Sequence, residues 1–221
     1  MSRYRTRSWR AFDPSALTAP AKRAAPAVGV MAAVSAMSAA PDKRAAPAAT
    51  AAGSVRVLGL DPGSRRTGFG IIECRGSDCV HVAHGCIAVD GEEFAGRLRT
   101  IFERLQALIC EHSPAEVAVE RVFMSRNADS ALKLGQARGA ALCAVPQGLP
   151  VFEYAPRAIK LALVGSGAAE KPQVAHMIRV LLGIQGRLVA DASDALAVAV
   201  CHAHSRRMSQ FVPSNVRPLV K

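Results

Sequence analysis

Four carboxylates stand where this chain changes direction. Asp61 closes the apolar run 55–60 just before Pro62-Gly63-Ser64, Glu120 closes the run 117–119, and Asp191 and Asp194 open the last apolar helical segment. In an α/β sheet the carboxyl ends of strands and the adjoining helix starts are where ligands gather. Hard divalent ions take carboxylate oxygens, and a pair of them can activate water and stabilise an oxyanion leaving group. The set therefore points to metal-dependent phosphodiester hydrolysis. Asp61 is the candidate to bridge two ions, Glu120 to hold one from its side, and either of Asp191 and Asp194 to bind the other. Those two are three residues apart in a first helical turn, so both can face one pocket. Four anions this close repel and raise one another's pKa values as a coupled set, so metal should stabilise the fold. Each also has an ordinary structural role open to it: starting a turn, ending a solvated strand, or favouring a helix dipole.

The elements that must position these groups are legible in the apolar periodicity. Runs at 55–60, 67–74 and 80–89 read as an antiparallel meander, with a bend expected at Gly85. Phe94, Leu98, Ile101, Phe102, Leu105, Leu108 and Ile109 recur at helical spacing, which predicts an amphipathic helix over 94–110. The helix is followed by a turn at Ser113-Pro114 and a strand at 117–119, a crossover that favours parallel pairing with the first strand. Asn127, Asp129 or Ser130 can cap a helix to about Ala144. A strand follows at 151–154, then a short helix to Val164, a helix from Glu170-Lys171-Pro172 to Gly183, and a last one from Asp191 to about His204. The fold class is α/β with a mixed sheet.

Residues 1–54 carry eight Lys or Arg against Asp13 and Asp42, are rich in alanine and proline, and show no sustained period. They read as a disordered basic extension. A transit peptide, or a true start nearer Met31 or Met37, are the other readings. Residues 55–205 form the expected nuclease domain, with 206–221 a flexible tail. The net charge of +11, less the +6 of the extension, leaves +5 on the remainder. A basic surface around an acidic metal pocket suits a polyanionic substrate. No apolar stretch is long enough for a membrane span. The six cysteines lack CxxC spacing, so reduced thiols and a cytoplasmic location are the simpler inference. The six histidines show no zinc spacing and read as satisfied or surface residues.

Several longer motifs carry a family resemblance. LGLDPGS at 58–64 with Thr67-Gly68, VERVFM at 119–124, NADSALKLGQARG at 127–139, FEYA at 152–155 and DASDALA at 191–197 occur in the order seen in the RuvC crossover junction endodeoxyribonucleases, which the chain resembles over residues 56–204. The resemblance implies a ribonuclease H-like fold and a homodimer. It also implies paired symmetric nicking of Holliday junctions with Mg²⁺ or Mn²⁺ in recombination and repair, and the branch-migration proteins RuvA and RuvB as partners. It makes Phe123 a DNA-contacting aromatic, suited to stack on an unpaired base, although core packing beside Val122 and Met124 is the alternative. Lys160 and Lys171 match the family's DNA-contacting and catalytically important lysines, where each could neutralise phosphate charge. Arg126, Arg65 and Arg66 are weaker phosphate candidates.

Ala128, Ala131, Gly135 and Gly139 put small residues on one helix face, open either to a second subunit or to the domain's own sheet. The first motif also resembles the phosphate loop of actin-like and sugar-kinase ATPases. The second Asp-x-Gly loop and the adenosine segment those enzymes need are not found here. A non-catalytic DNA-binding module is the remaining alternative, opposed by the cost of facing four acids toward a polyanion without cations.

Overall fold

The computed structural model describes residues 53–91, 93–121 and 127–211. Strand β1 (Val55–Asp61) is central in a five-stranded sheet with β2 (Arg66–Arg75), β3 (Asp78–Ala88), β4 (Glu116–Glu120) and β5 (Val151–Tyr154), in the order β3-β2-β1-β4-β5. β1, β2 and β3 form an antiparallel meander, and β4 and β5 run parallel to β1, which makes the sheet mixed as expected. The helices are α1 (Phe94–His112), α2 (Ala128–Cys143), α3 (Pro156–Val164), α4 (Lys171–Leu181) and α5 (Ala190–Phe211).

Because side chains alternate across a strand, β1 feeds two cores. Leu58 and Leu60 join Ile101, Leu105, Val117 and Val119 on the face covered by α1 and α2. Val57 joins Ala118, Ile178 and Leu196 on the face covered by α3, α4 and α5. Asp61 and Glu120 share the second face with Val57 and Ala118, four and two positions away along their strands.

α5 lies directly on that face because glycine makes room for it. A Cβ at Gly59 would collide with the Ala195 carbonyl oxygen, and one at Gly68 with the Asp191 carbonyl oxygen. The alanine-rich face of α5 completes the fit, with Ala192, Ala195 and Ala199 fully buried. This close approach carries the first turn of α5 to the carboxyl end of β1.

The structure departs from the expected boundaries in a few places. α1 runs two residues further, to His112, and Ser113 ends it in the left-handed region at φ 46°. The irregularity in the meander lies between Ile71 and Ile72, opposite Val82, where Gly85 had been the expected bend. α5 continues to Phe211, six residues into the segment expected to be a tail. Arg206 extends it by donating to Glu116 at 3.0 Å. Asn127 caps α2, its side chain accepting from the Ser130 backbone N–H at 3.1 Å. Cys74 and Cys79, directly opposite in the β2–β3 register, form a disulfide where reduced thiols were expected. No described helix is long and apolar enough to cross a membrane. Residues 1–52 of the basic extension and residues 212–221 lie outside the described residues.

Candidate active site

Asp61 and Glu120 end adjacent parallel strands in a register that pairs Leu60 with Val119, so their carboxyl groups lie side by side. They share a hydrogen bond, and the Asp61 pKa is pushed up to about 8, first by burial, then by the charges of Glu120 and Asp194. Burial likewise raises Glu120, against the pull of its bond to Asp61 and of Lys171 and Lys160. The physical content is simple: two half-buried acids facing each other cannot both ionise cheaply, so one holds a proton for the pair.

Asp194 is brought alongside by α5 and held from the other direction by α4, where Lys171 Nζ donates to its Oδ2 at 2.6 Å. That bond, more than any other influence, raises the Lys171 pKa and keeps it cationic. The start of α4 is fixed by Gln173 Oε1, which accepts from the Glu170 backbone N–H at 2.8 Å. Lys160 on α3 lines an open cleft with Glu120, Lys171 and Asp194, floored by Ile159 and Val174. Asp191 sits three residues earlier on α5, and its Oδ2 accepts from the Cys86 thiol on β3 at 3.7 Å. Burial pushes that thiol up to about 11, so it is a neutral donor.

Asp61, Glu120 and Asp194 are therefore gathered with Lys160 and Lys171, and Asp191 borders them through Cys86. Among the described residues, no three acidic, histidine or cysteine side chains already converge on one point as a finished ligand cage. The donor set is nonetheless the right kind for a hard divalent ion: carboxylate oxygens, partly withdrawn from water, in excess over the cations beside them. A larger cavity at the opposite end of the sheet, bordered by Ser54, Val57, Cys74 and Arg206, has no acidic lining.

Phe123 and Arg126 lie outside the described residues. Arg66 is exposed and reaches Asp90 at 4.0 Å. The turn after Asp61 closes on itself, with the Thr67 hydroxyl donating to the Gly63 carbonyl at 3.1 Å. His202 proves a satisfied core histidine: its Nδ1 lies 2.7 Å from the Tyr154 hydroxyl and its Nε2 2.6 Å from Glu116 Oε2. That network and the Cys86 contact went unseen in the sequence. The only trace of either was the i, i+4 spacing of His202 and Arg206 on α5.

Comparisons with known proteins point to one family. The sequence profile of the family described as crossover junction endodeoxyribonuclease RuvC matches residues 57–202. The chain is 59% identical over 162 residues to the RuvC of Methylococcus capsulatus, covering 71% of this chain and 98% of that protein. It is 56% identical over 158 residues to that of Xylella fastidiosa, covering 70% and 91%. In structure it is similar to Thermus thermophilus RuvC in complex with Holliday junction substrate, with a TM-score of 0.66 and 34% identity over 70% of this chain and 96% of that one. The yeast mitochondrial Holliday junction resolvase Ydc2 shares the fold at a TM-score of 0.54 and 11% identity, covering 71% and 83%. The chain belongs to the RuvC family of metal-dependent crossover junction endodeoxyribonucleases.

Proposed function

We propose that this protein resolves Holliday junctions by paired symmetric nicks in two like strands, in homologous recombination and DNA repair. The observation that carries the proposal is the placing of Asp61 and Glu120 side by side at the ends of adjacent parallel strands, with Asp194 and Lys171 against them, in a chain of this family. Asp61, Glu120, Asp191 and Asp194 would hold two Mg²⁺ ions, with Mn²⁺ able to substitute. Bound there, the ions supply an activated water and neutralise the leaving oxygen. The protein's own contribution is to keep these carboxylates beside one another at a cost that cation binding relieves. Lys160 and Lys171 flank the cleft and neutralise phosphate, a role proposed also for Arg126, and Phe123 stacks on a base at the opened junction.

Symmetric cutting requires two copies of one site, and a homodimer provides them. Support comes from α2. A Cβ at Gly135 or Gly139 would meet nothing within 4 Å, while Ala137 and Ala141 are the residues buried against the domain. The small-residue face is thus not used up by the protein's own sheet. The RuvA and RuvB branch-migration proteins as partners, 5'-phosphate and 3'-hydroxyl products and a cytoplasmic location follow from the family.

The test is to incubate the protein with a synthetic four-way junction and Mg²⁺, comparing wild type with Asp61→Asn and Glu120→Gln. The wild type should nick two like strands, and both variants should bind the junction without nicking it. Loss of junction binding in two well-folded variants would contradict a catalytic assignment.

A further inference from the structure

Each candidate carboxylate has a different partner. Asp61 faces Glu120, Asp194 faces Lys171, and Asp191 faces the thiol of Cys86 at 3.7 Å. We propose that Cys86 is a positioning residue, which aims the Asp191 carboxylate toward the metal pocket; this rests on the reading of Asp191 as a ligand.

The argument begins with the β2–β3 register, which pairs Gly68 with Cys86. Paired residues of an antiparallel ladder point to the same face, here the face under α5. Gly68 offers no side chain, and a Cβ there would collide with the Asp191 carbonyl oxygen. The backbone of Asp191 therefore rests on Gly68, while its side chain reaches the neighbouring Cys86. The two residues form one seat: the glycine sets how closely the first turn of α5 approaches, and the thiol sets where the carboxylate points. A neutral S–H orients the carboxylate without cancelling the charge a cation needs, unlike the ammonium that holds Asp194. Partners that orient metal ligands from behind are worth 10- to 100-fold in metal affinity.

The test uses the full-length protein, with nicking of a synthetic four-way junction measured across a Mg²⁺ series and junction affinity measured without metal. Cys86→Ala should raise the Mg²⁺ concentration for half-maximal nicking about tenfold, the low end of that range because a thiol is a weak donor. Its rate at saturating Mg²⁺ and its junction affinity should stay near wild type. Cys86→Ser keeps a hydroxyl donor and should move the Mg²⁺ curve back toward wild type. A purely structural role would lower the melting temperature of the variants and leave the Mg²⁺ dependence in place. Superimposed Mg²⁺ curves for wild type and Cys86→Ala, or a Cys86→Ser curve displaced as far as that of Cys86→Ala, overturn the assignment. Asp191→Asn separates the two levels. If it nicks as wild type does, Asp191 is no ligand and the reading beneath fails. If it is inactive while Cys86→Ala follows wild type, only the positioning role fails.

Discussion

Glu116 and Glu120 stand at the two ends of β4 on one face of the sheet, four residues apart, and their surroundings are opposites. Glu116 is matched: His202 and Arg206 reach its two oxygens, and Tyr154 completes the chain through His202. At the same end of the sheet, on β2, Glu73 is matched too, by a short ion pair with the buried Arg56 and a bond from Ser54, and the Arg56 bond is the main force holding its pKa down. Glu120 faces another acid. Buried polar groups are ordinarily satisfied, and the far end of the sheet obeys that rule with donors and cations. The near end gathers acids beyond what its lysines balance, an imbalance that the proposed cations would relieve.

The sharpest way to break the comparison is to neutralise one carboxylate at each end. Asp61→Asn and Glu120→Gln should lower nicking by about a thousandfold or more, the scale on which transition-state electrostatics act, with the fold intact. Glu116→Ala should do the reverse, costing about 2 to 4 kcal/mol in denaturant unfolding, because it strands His202 and Arg206. Whatever folded protein remains should nick at the wild-type rate. A Glu116→Ala protein that is stable but inactive would erase the distinction.

The pH dependence of stability separates the ends as well. The fold favours the protonated form of Asp61, so its contribution is fully present below the ordinary carboxylate pKa near 3.8 and is lost as pH rises through about 8. Glu73 behaves oppositely: its pKa is lowered in the fold, so its contribution is present above the ordinary value of 4.5 and is lost as pH falls below it. Chemical denaturation of metal-free protein from pH 5 to 9 should therefore show falling stability, and Asp61→Asn should flatten that slope while stabilising the protein by about 1 to 3 kcal/mol at pH 8. Saturating Mg²⁺ should restore the wild type. A destabilised Asp61→Asn at pH 8 without metal would count against the strained pair.

The smallest effect belongs to Lys171. Its ion pair with Asp194 lies at the exposed edge of the cleft, where such pairs contribute about 0 to 1 kcal/mol. Lys171→Ala should thus leave the melting temperature almost unchanged while slowing nicking measurably. Equal losses of both would make it a structural residue.

Much of this was readable from residue order, and the reasons are physical. Strand and helix periodicity located β1, β4 and α5, and turn formers located their ends, which is where Asp61, Glu120, Asp191 and Asp194 stand. What periodicity could not supply was which faces meet. Nothing local says that Gly59 and Gly68 lie beneath Ala195 and Asp191, because each is an ordinary strand residue until the helix is placed on it. The Cys86–Asp191 contact joins residues 105 positions apart. The Glu116–His202–Tyr154 chain depends on β4, β5 and α5 arriving together. His202 was rightly read as satisfied, but its partners are tertiary. Arg206 was assigned to a tail because its partner, Glu116, is 90 residues earlier.

Whether the unmatched end binds ions is settled most directly by diffraction at the manganese absorption edge from crystals soaked in Mn²⁺. Anomalous peaks within bonding distance of Asp61, Glu120 and the α5 aspartates are the predicted result, with none at Glu116. Ordered carboxylates at that end with no ion among them, at Mn²⁺ concentrations that support nicking, would contradict it.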